Sequence, residues 1–348
     1  MSDLKAKNPV RVAESSAESQ NLRRIAESQN LRRIAESQNL VKTQTQRLKI
    51  AFFGTPLFAK NILESFVANP TFEIVALITQ KDKPFGRKQI LKMPETKVFA
   101  IERNLKIPIF QPQKISDILG DLHALKPDVL LVVAFGRILP KSVIDEFYCI
   151  NIHASILPKF RGASPISAMI LNDEKFLGVT LIKMDEGLDS GDILAFSYVK
   201  NLRFDAKKAG ALLSQMGANL AIKILPNLGK IAPLKQIGAE SSKCGKIAKE
   251  DGIIAFKDAK AIFLKSLAYT IYPQIALENG LKLFDIALNE VDSTNECGAI
   301  LAVEKDCIIV GCARGSVKIG ALQKVGKNKV SAVDYLNGAR LKVGAILR

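Results

Sequence analysis

Only two histidines occur among the 348 residues. One of them, His153, closes Phe147 to His153, a short apolar run that reads as a buried strand. Side chains alternate along a strand, so Asn151 and His153 share one face. An amide donor and an imidazole, the side chain whose charge changes near neutral pH, would project together from the strand's C-terminal end. In open α/β sheets that end is where ligands bind. Further along, Met184 to Asp192 packs four acids and two glycines into nine residues. The register of a calcium-binding loop, with a Glu at its twelfth position, is absent. The segment is either a solvated turn or the source of a carboxylate that faces His153 and orients or relays its proton.

The elements that would position these groups alternate between strand and helix. Strands are expected at Leu48–Phe53, Glu73–Thr79, Ile107–Phe110, Val129–Ala134, Phe147–His153, Val179–Lys183 and Ile193–Val199. Helices are expected near Leu57–Val67, Thr96–Asn104, Pro165–Leu171 and 206–228. Lys81 to Pro94 reads as a polar, basic loop. Val129–Ala134 is too apolar to have a solvated face. This alternation predicts an α/β fold with a doubly wound sheet. Residues 235–250 lie in a stretch rich in Pro, Gly and Ser with no periodicity, and read as a linker. A helix near Asp258–Tyr269 then precedes short strands at Leu281–Ala287, Gly298–Val303, Cys307–Cys312 and Ser316–Leu322, a pattern that suits a small β-barrel.

Composition narrows the classes. The length suits two domains. The longest apolar run, Val129 to Phe135, is too short to span a bilayer, and no signal peptide is evident, so a cytoplasmic protein without a membrane role is expected. Five cysteines form no CxxC pair. With so few histidines, no metal is expected, and reduced thiols are the default. The net charge is +16, and residues 307–348 hold 8 basic groups against the single acid Asp334. That balance makes a polyanionic partner a fair expectation. The N-terminus repeats AESQNLRRI at Ala17–Ile25 and Ala26–Ile34, with a variant at Ala35–Thr43. A nine-residue step turns a helix by about 180° per copy, so no continuous apolar stripe forms. Residues 1–46 are therefore expected to be a disordered tail.

Four stretches together resemble methionyl-tRNA formyltransferases. They are Phe53-Gly54-Thr55-Pro56-x-Phe58-Ala59, Thr79 to Arg87, Asn151-x-His153-x-Ser155-x-Leu157-Pro158-x-Phe160-Arg161-Gly162-Ala163-x-Pro165-Ile166, and Met184-Asp185-x-Gly187-Leu188-Asp189-Ser190-Gly191-Asp192. The likeness covers about residues 48–348 and leaves the repeats outside. The Asn151 motif marks folate-dependent formyltransferases as a group, while the basic loop and the C-terminal extension narrow it to the tRNA enzyme. The chain has no Trp, although the family usually shows one around Tyr272-Pro273.

The resemblance implies a Rossmann-like formyltransferase domain over 47–234 and an OB-type β-barrel over 251–348 that grips tRNA. It implies a catalytic trio of Asn151, His153 and Asp189. The α-amine of methionyl-tRNA would attack the formyl carbon of 10-formyltetrahydrofolate. Asn151 and His153 would stabilise the oxyanion, and Asp189 would assist proton movement. Folate contacts are expected from Phe135, Gly136, Ile138, Leu139, Ser155, Ile156, Leu157, Pro158 and Asp185, largely through backbone. Contacts to initiator methionyl-tRNA are expected from Lys83, Arg87, Lys88 and Lys92. A monomer is expected. Rival readings are another folate-dependent formyltransferase or hydrolase, and a non-catalytic RNA-binding protein that kept the fold.

Overall fold

The computed structural model describes residues 47–85 and 89–348. The nonapeptide repeats, Arg87 and Lys88 lie outside the described residues. The first half runs β1 (Leu48–Gly54), α1 (Leu57–Val67), β2 (Phe72–Ile78), β3 (Lys83–Phe85), β4 (Ile90–Lys92), α2 (Glu95–Glu102), β5 (Ile109–Phe110), α3 (Leu119–Leu125), β6 (Val129–Val133), α4 (Lys141–Glu146) and β7 (Cys149–His153). Then come β8 (Arg161–Gly162), α5 (Pro165–Leu171), β9 (Phe176–Lys183), β10 (Ile193–Lys200) and α6 (Ala206–Ile224).

Seven of these strands make one sheet in the order β10-β9-β7-β6-β1-β2-β5. The strands from β5 to β7 run parallel, and β9 is antiparallel to both its neighbours. Alternate residues feed opposite faces. Ile50, Phe52, Leu131, Ile150 and Ile152 pack with α1 and α6 on one side. Ala51, Phe53, Leu130, Val132 and Cys149 pack with α3 and α4 on the other. Both faces are covered, which is why these strands read as continuous apolar runs. Strand order reverses between β1 and β6, so a crevice opens where their C-terminal ends diverge. Helix α6 starts where the Asp205 carboxylate accepts the Lys208 N–H at 2.8 Å, a standard N-cap. It reaches the sheet closely because Gly217 has no side chain: a Cβ there would lie 2.9 Å from Ile152 Cγ2.

Several expectations shift in detail. The Lys81–Pro94 stretch is not all loop, since β3 and β4 pair as a hairpin. The strand expected over Ile107–Phe110 forms only at its last two residues, and the long helix ends at Ile224 in a 3-10 turn. Helices α3 and α4 are short and lie on a mixed surface, with too few turns to stand out as periodic.

The remaining chain contains β11 (Lys243–Cys244), α7 (Ala259–Ala268), β12 (Lys282–Glu290), β13 (Ile300–Val303), β14 (Ile308–Gly311), β15 (Ser316–Gln323), β16 (Val330–Ser331) and α8 (Ala332–Ala339). Strands β12, β15, β14 and β13 form an antiparallel sheet in that order, with β16 also on β15. This sheet does not hold a separate core. One cluster of buried residues runs from Met169, Leu177, Val179 and Leu213 in the first half to Ile262, Ile308, Ile319 and Leu347 in the second. Ser167 on α5 donates to the Ala268 carbonyl at the end of α7, 3.1 Å away and buried. Asp173 meets both Arg203 and Lys260 across the same junction.

The shared cluster has a measurable consequence. Ile262→Ala removes a side chain only 3% exposed and is expected to cost about 2–5 kcal/mol. Calorimetry should show residues 48–348 melting in one transition, shifted as a whole. Two transitions, with only one shifted, would separate the cores.

Candidate active site

Strand β7 lies between β6 and β9, with Asn151 opposite Val132 on one side and Ile182 on the other. Its odd-numbered residues share a face with Cys149, which is buried at the strand's start. Asn151 and His153 follow at the C-terminal end, 8% and 6% exposed. Burial pushes the Cys149 thiol up to about 12, which keeps this thiol in its neutral form.

Two polar side chains so deeply placed need partners. The chain supplies them from the turn that follows. The Ser155 carbonyl accepts from Thr180 Oγ1 at 2.7 Å, and Thr180 Oγ1 accepts from the Leu157 N–H at 3.0 Å. Ser155 Oγ donates to the Lys159 carbonyl at 2.7 Å. The turn then passes through Phe160 at φ +60° and brings the Phe160 carbonyl to 2.8 Å from His153 Nε2. A carbonyl oxygen only accepts, so Nε2 carries a proton. Cys244 Sγ reaches the same oxygen at 3.4 Å.

The other ring nitrogen of His153 faces the acidic loop. Asp189 Oδ2 lies 3.6 Å from His153 Nδ1 and accepts the Gly162 N–H at 2.8 Å. Asp189 Oδ1 accepts from Asn151 Nδ2 at 3.0 Å. One carboxylate, its side chain 11% exposed, thus joins both ends of the β7 pair. Asp189 sits at φ +52°, a region uncommon for residues other than glycine. Its loop is tied internally by Asp185, whose Oδ1 accepts from the Gly187 N–H at 3.0 Å and from Ser190 Oγ at 2.8 Å. Gly191 permits a close return, since a Cβ there would lie 1.9 Å from the Lys183 carbonyl.

A third segment braces the other two. Arg161 and Gly162 of β8 pair in parallel with Lys243 and Cys244 of β11. Gly162 has φ +122°, and a Cβ on it would meet the Cys244 carbonyl at 2.1 Å. Gln236 Nε2 donates to the carbonyls of Asp189 and Gly191 at 2.8 and 2.7 Å. Gln236 Oε1 accepts from Arg161 Nε and Nη2 at 3.0 and 2.7 Å. Phe160 N–H donates to Ser242 Oγ at 2.9 Å. Residues expected to form a plain linker therefore hold the site. Gln236 stood in no motif, and nothing in its neighbourhood of the sequence marks it.

The structure brings Asn151, His153 and Asp189 together. It places Ser155 and Leu157 buried, with Ile156 and Pro158 partly exposed, in the turn directly after them. Phe135 and Leu139 are buried and Ile138 is 72% exposed. The Phe135 carbonyl accepts from Gln80 Nε2 at 2.8 Å, and Gly136 takes φ +77°. Lys83 Nζ donates to Gln80 Oε1 at 2.6 Å, and Lys92 pairs with Glu95 at 2.8 Å. Both lysines border a cleft of about 300 Å³ between the hairpin and the start of α1, also lined by Thr55, Pro56 and Met93. This cleft lies at the ends of β1 and β2, whereas the trio lies at the end of β7. Among the described residues no three His, Cys, Asp or Glu groups converge to hold a metal ion, and no helix is long and apolar enough to cross a membrane.

Two families match the chain: "Formyl transferase" over residues 48–226 and "Formyl transferase, C-terminal domain" over 246–340. Methionyl-tRNA formyltransferase of Helicobacter pylori (strain ATCC 700392 / 26695) is 49% identical over 305 residues, covering 86% of this chain and all of that protein. That of Campylobacter fetus subsp. fetus (strain 82-40) is 45% identical over 300 residues, covering 85% and 98%. Among solved structures, an N-formyltransferase from Helicobacter canadensis, in complex with folinic acid and dTDP-3-aminofucose, aligns with TM-score 0.60 and 23% identity over 79% of this chain and all of that one. HypX from Aquifex aeolicus in complex with tetrahydrofolic acid aligns with TM-score 0.57 and 17% identity over 84% of this chain and 47% of that one. At those identities the two structures show a shared fold.

Asp189→Asn tests the carboxylate's part in holding the site. An amide would turn a donor toward either Asn151 Nδ2 or the Gly162 N–H. One lost acceptor in a buried setting costs about 1–3 kcal/mol, and the urea midpoint should fall accordingly. An unchanged midpoint would mean that these bonds add nothing to stability.

Proposed function

The chain belongs to the methionyl-tRNA formyltransferase family, and from that premise we propose that it transfers a formyl group from 10-formyltetrahydrofolate to the α-amino group of methionyl-initiator-tRNA. The observation that carries this reading is the Asn151–Asp189–His153 cluster, set at the ligand-binding end of the sheet in a chain nearly half identical to named enzymes along their whole length. Family members use folate-derived formyl donors. The residues here suit direct transfer between two bound substrates, with no covalent intermediate on the protein.

The reaction needs two things from the site. The attacking ammonium must lose a proton and the folate nitrogen must gain one, while negative charge gathers on the formyl oxygen. Asn151 spends one Nδ2–H on Asp189 and directs the other at that oxygen, where an oriented donor contributes most. His153 anchors one nitrogen on the Phe160 carbonyl and keeps Nδ1, next to Asp189, for the proton in transit. The surrounding apolar core limits competing water, so an activated formyl group reacts with the amine.

The folate reading rests on backbone around Phe135, Gly136, Ile138 and Leu139 and around Ser155, Ile156, Leu157 and Pro158. Asp185 contributes by shaping its loop. The tRNA reading rests on Lys83 and Lys92 in strands β3 and β4 and on Arg87 and Lys88 of the same stretch of sequence, whose cations suit phosphate contacts. It rests too on the basic C-terminal end, where we take the antiparallel strands of 251–348 to form the OB-type barrel. The catalytic domain spans 47–234 in this reading, and the protein acts as a cytoplasmic monomer.

Formyl transfer to initiator methionyl-tRNA, measured beside elongator methionyl-tRNA, tests the function. We expect rapid formylation of the initiator alone. In His153→Ala the rate should drop on the order of 10²–10⁴-fold. Folate consumption without formylated tRNA would contradict the substrate assignment.

A further inference from the structure

Gln236 lies between the two matched families, after residue 226 and before residue 246. All the hydrogen-bonding capacity of its amide is directed at the site. Its nitrogen spans the Asp189 and Gly191 carbonyls at 2.8 and 2.7 Å, and its oxygen takes two donors of Arg161 at 3.0 and 2.7 Å. The two groups it connects are far apart in sequence and belong to different halves of the site. Arg161 ends the turn that gives His153 its carbonyl partner, and its own N–H donates to the Ser242 carbonyl at 2.8 Å. Asp189 carries the carboxylate.

The backbone at Asp189 needs such a brace. A non-glycine residue at φ +52° persists where surrounding contacts over-determine it. The bonds from Asp185 tie the loop at Gly187 and at Ser190, on either side of Asp189. They do not reach the Asp189 carbonyl. Gln236 supplies that contact, on the positive-φ residue itself, and a second one two residues on at Gly191. Arg161 in turn orients Gln236, because two donors on one oxygen leave the amide one orientation in which its nitrogen faces the carbonyls.

We propose that Gln236 is a positioning residue for the formyl transfer: it fixes the Asp189 loop against Arg161, so that the carboxylate meets Asn151 and His153 together. This rests on the function proposed above. Reactive groups displaced by about 1 Å cost on the order of 10²-fold in rate, so loss of the brace should act on turnover and leave substrate affinity alone.

The test uses the full chain with two variants. Gln236→Met keeps the length and removes every hydrogen bond. Gln236→Glu keeps an acceptor for Arg161 and loses both donors to the carbonyls. In each, kcat with initiator methionyl-tRNA should fall about 10- to 100-fold, with both KM values within about twofold of the parent. The chain's two histidines supply a second readout. In ¹⁵N-imidazole spectra the His153 signals should move, while those of His123, exposed and paired with Glu146, stay in place. Should the Met variant fail to fold, the Glu variant decides. A folded variant with parental kcat overturns the proposal, and so does a raised KM for tRNA at constant kcat, or a kcat loss with unmoved His153 signals. If the parent formylates no tRNA, the functional reading fails, and the His153 signals still decide whether Gln236 positions the site.

Discussion

A carboxylate held away from water needs donors for both its oxygens, and the site is built around meeting that need for Asp189. One oxygen takes the Asn151 amide; the other takes the Gly162 N–H and faces the His153 ring. These three partners come from two elements, the end of β7 and the short strand β8 beyond the turn. The carboxylate itself comes from a third, the loop between β9 and β10. None of these elements alone contains a site. The cluster exists because β7 is paired with β9 in a register that sets Asn151 opposite Ile182, just before that loop begins.

The same requirement draws in the chain beyond the seven-stranded sheet. The β8–β11 pairing, the Phe160–Ser242 bond and the Gln236 amide all reach back from residues 236–244. The next segment adds its apolar residues to a cluster that already contains Met169 and Leu177. The second half of the molecule therefore braces the Asn151–His153 segment as well as extending the surface. Close backbone approach makes this possible, and at Gly162 and Gly191 a side chain would collide with a neighbouring carbonyl.

Much of the framework was legible in the sequence. The inner strands are apolar on both faces, and the two-residue spacing of Asn151 and His153 says that they project together. The acidic loop was visible as a cluster, but its four acids look alike in composition. The resemblance singled out Asp189; the left-handed backbone that aims it is a tertiary property. Asp185 shows the difference: in the same loop, its carboxylate is used on the loop's own N–H and hydroxyl groups. The β3–β4 hairpin escaped because its lysines and Pro84 suit a loop equally well. Gln236 escaped because its partners lie 47 and 75 positions away, and no local periodicity records such contacts.

If Asp189 organises Asn151 and His153 into one working unit, their contributions to the rate cannot be independent. The most direct measurement is a double-mutant cycle on single-turnover formyl transfer with Asp189→Ala, Asn151→Ala and the double variant. The double variant should be no slower than about threefold below the slower single variant, because either change already disables the unit. Losses that multiply in full would show two independent groups and contradict the shared carboxylate as the centre of the site.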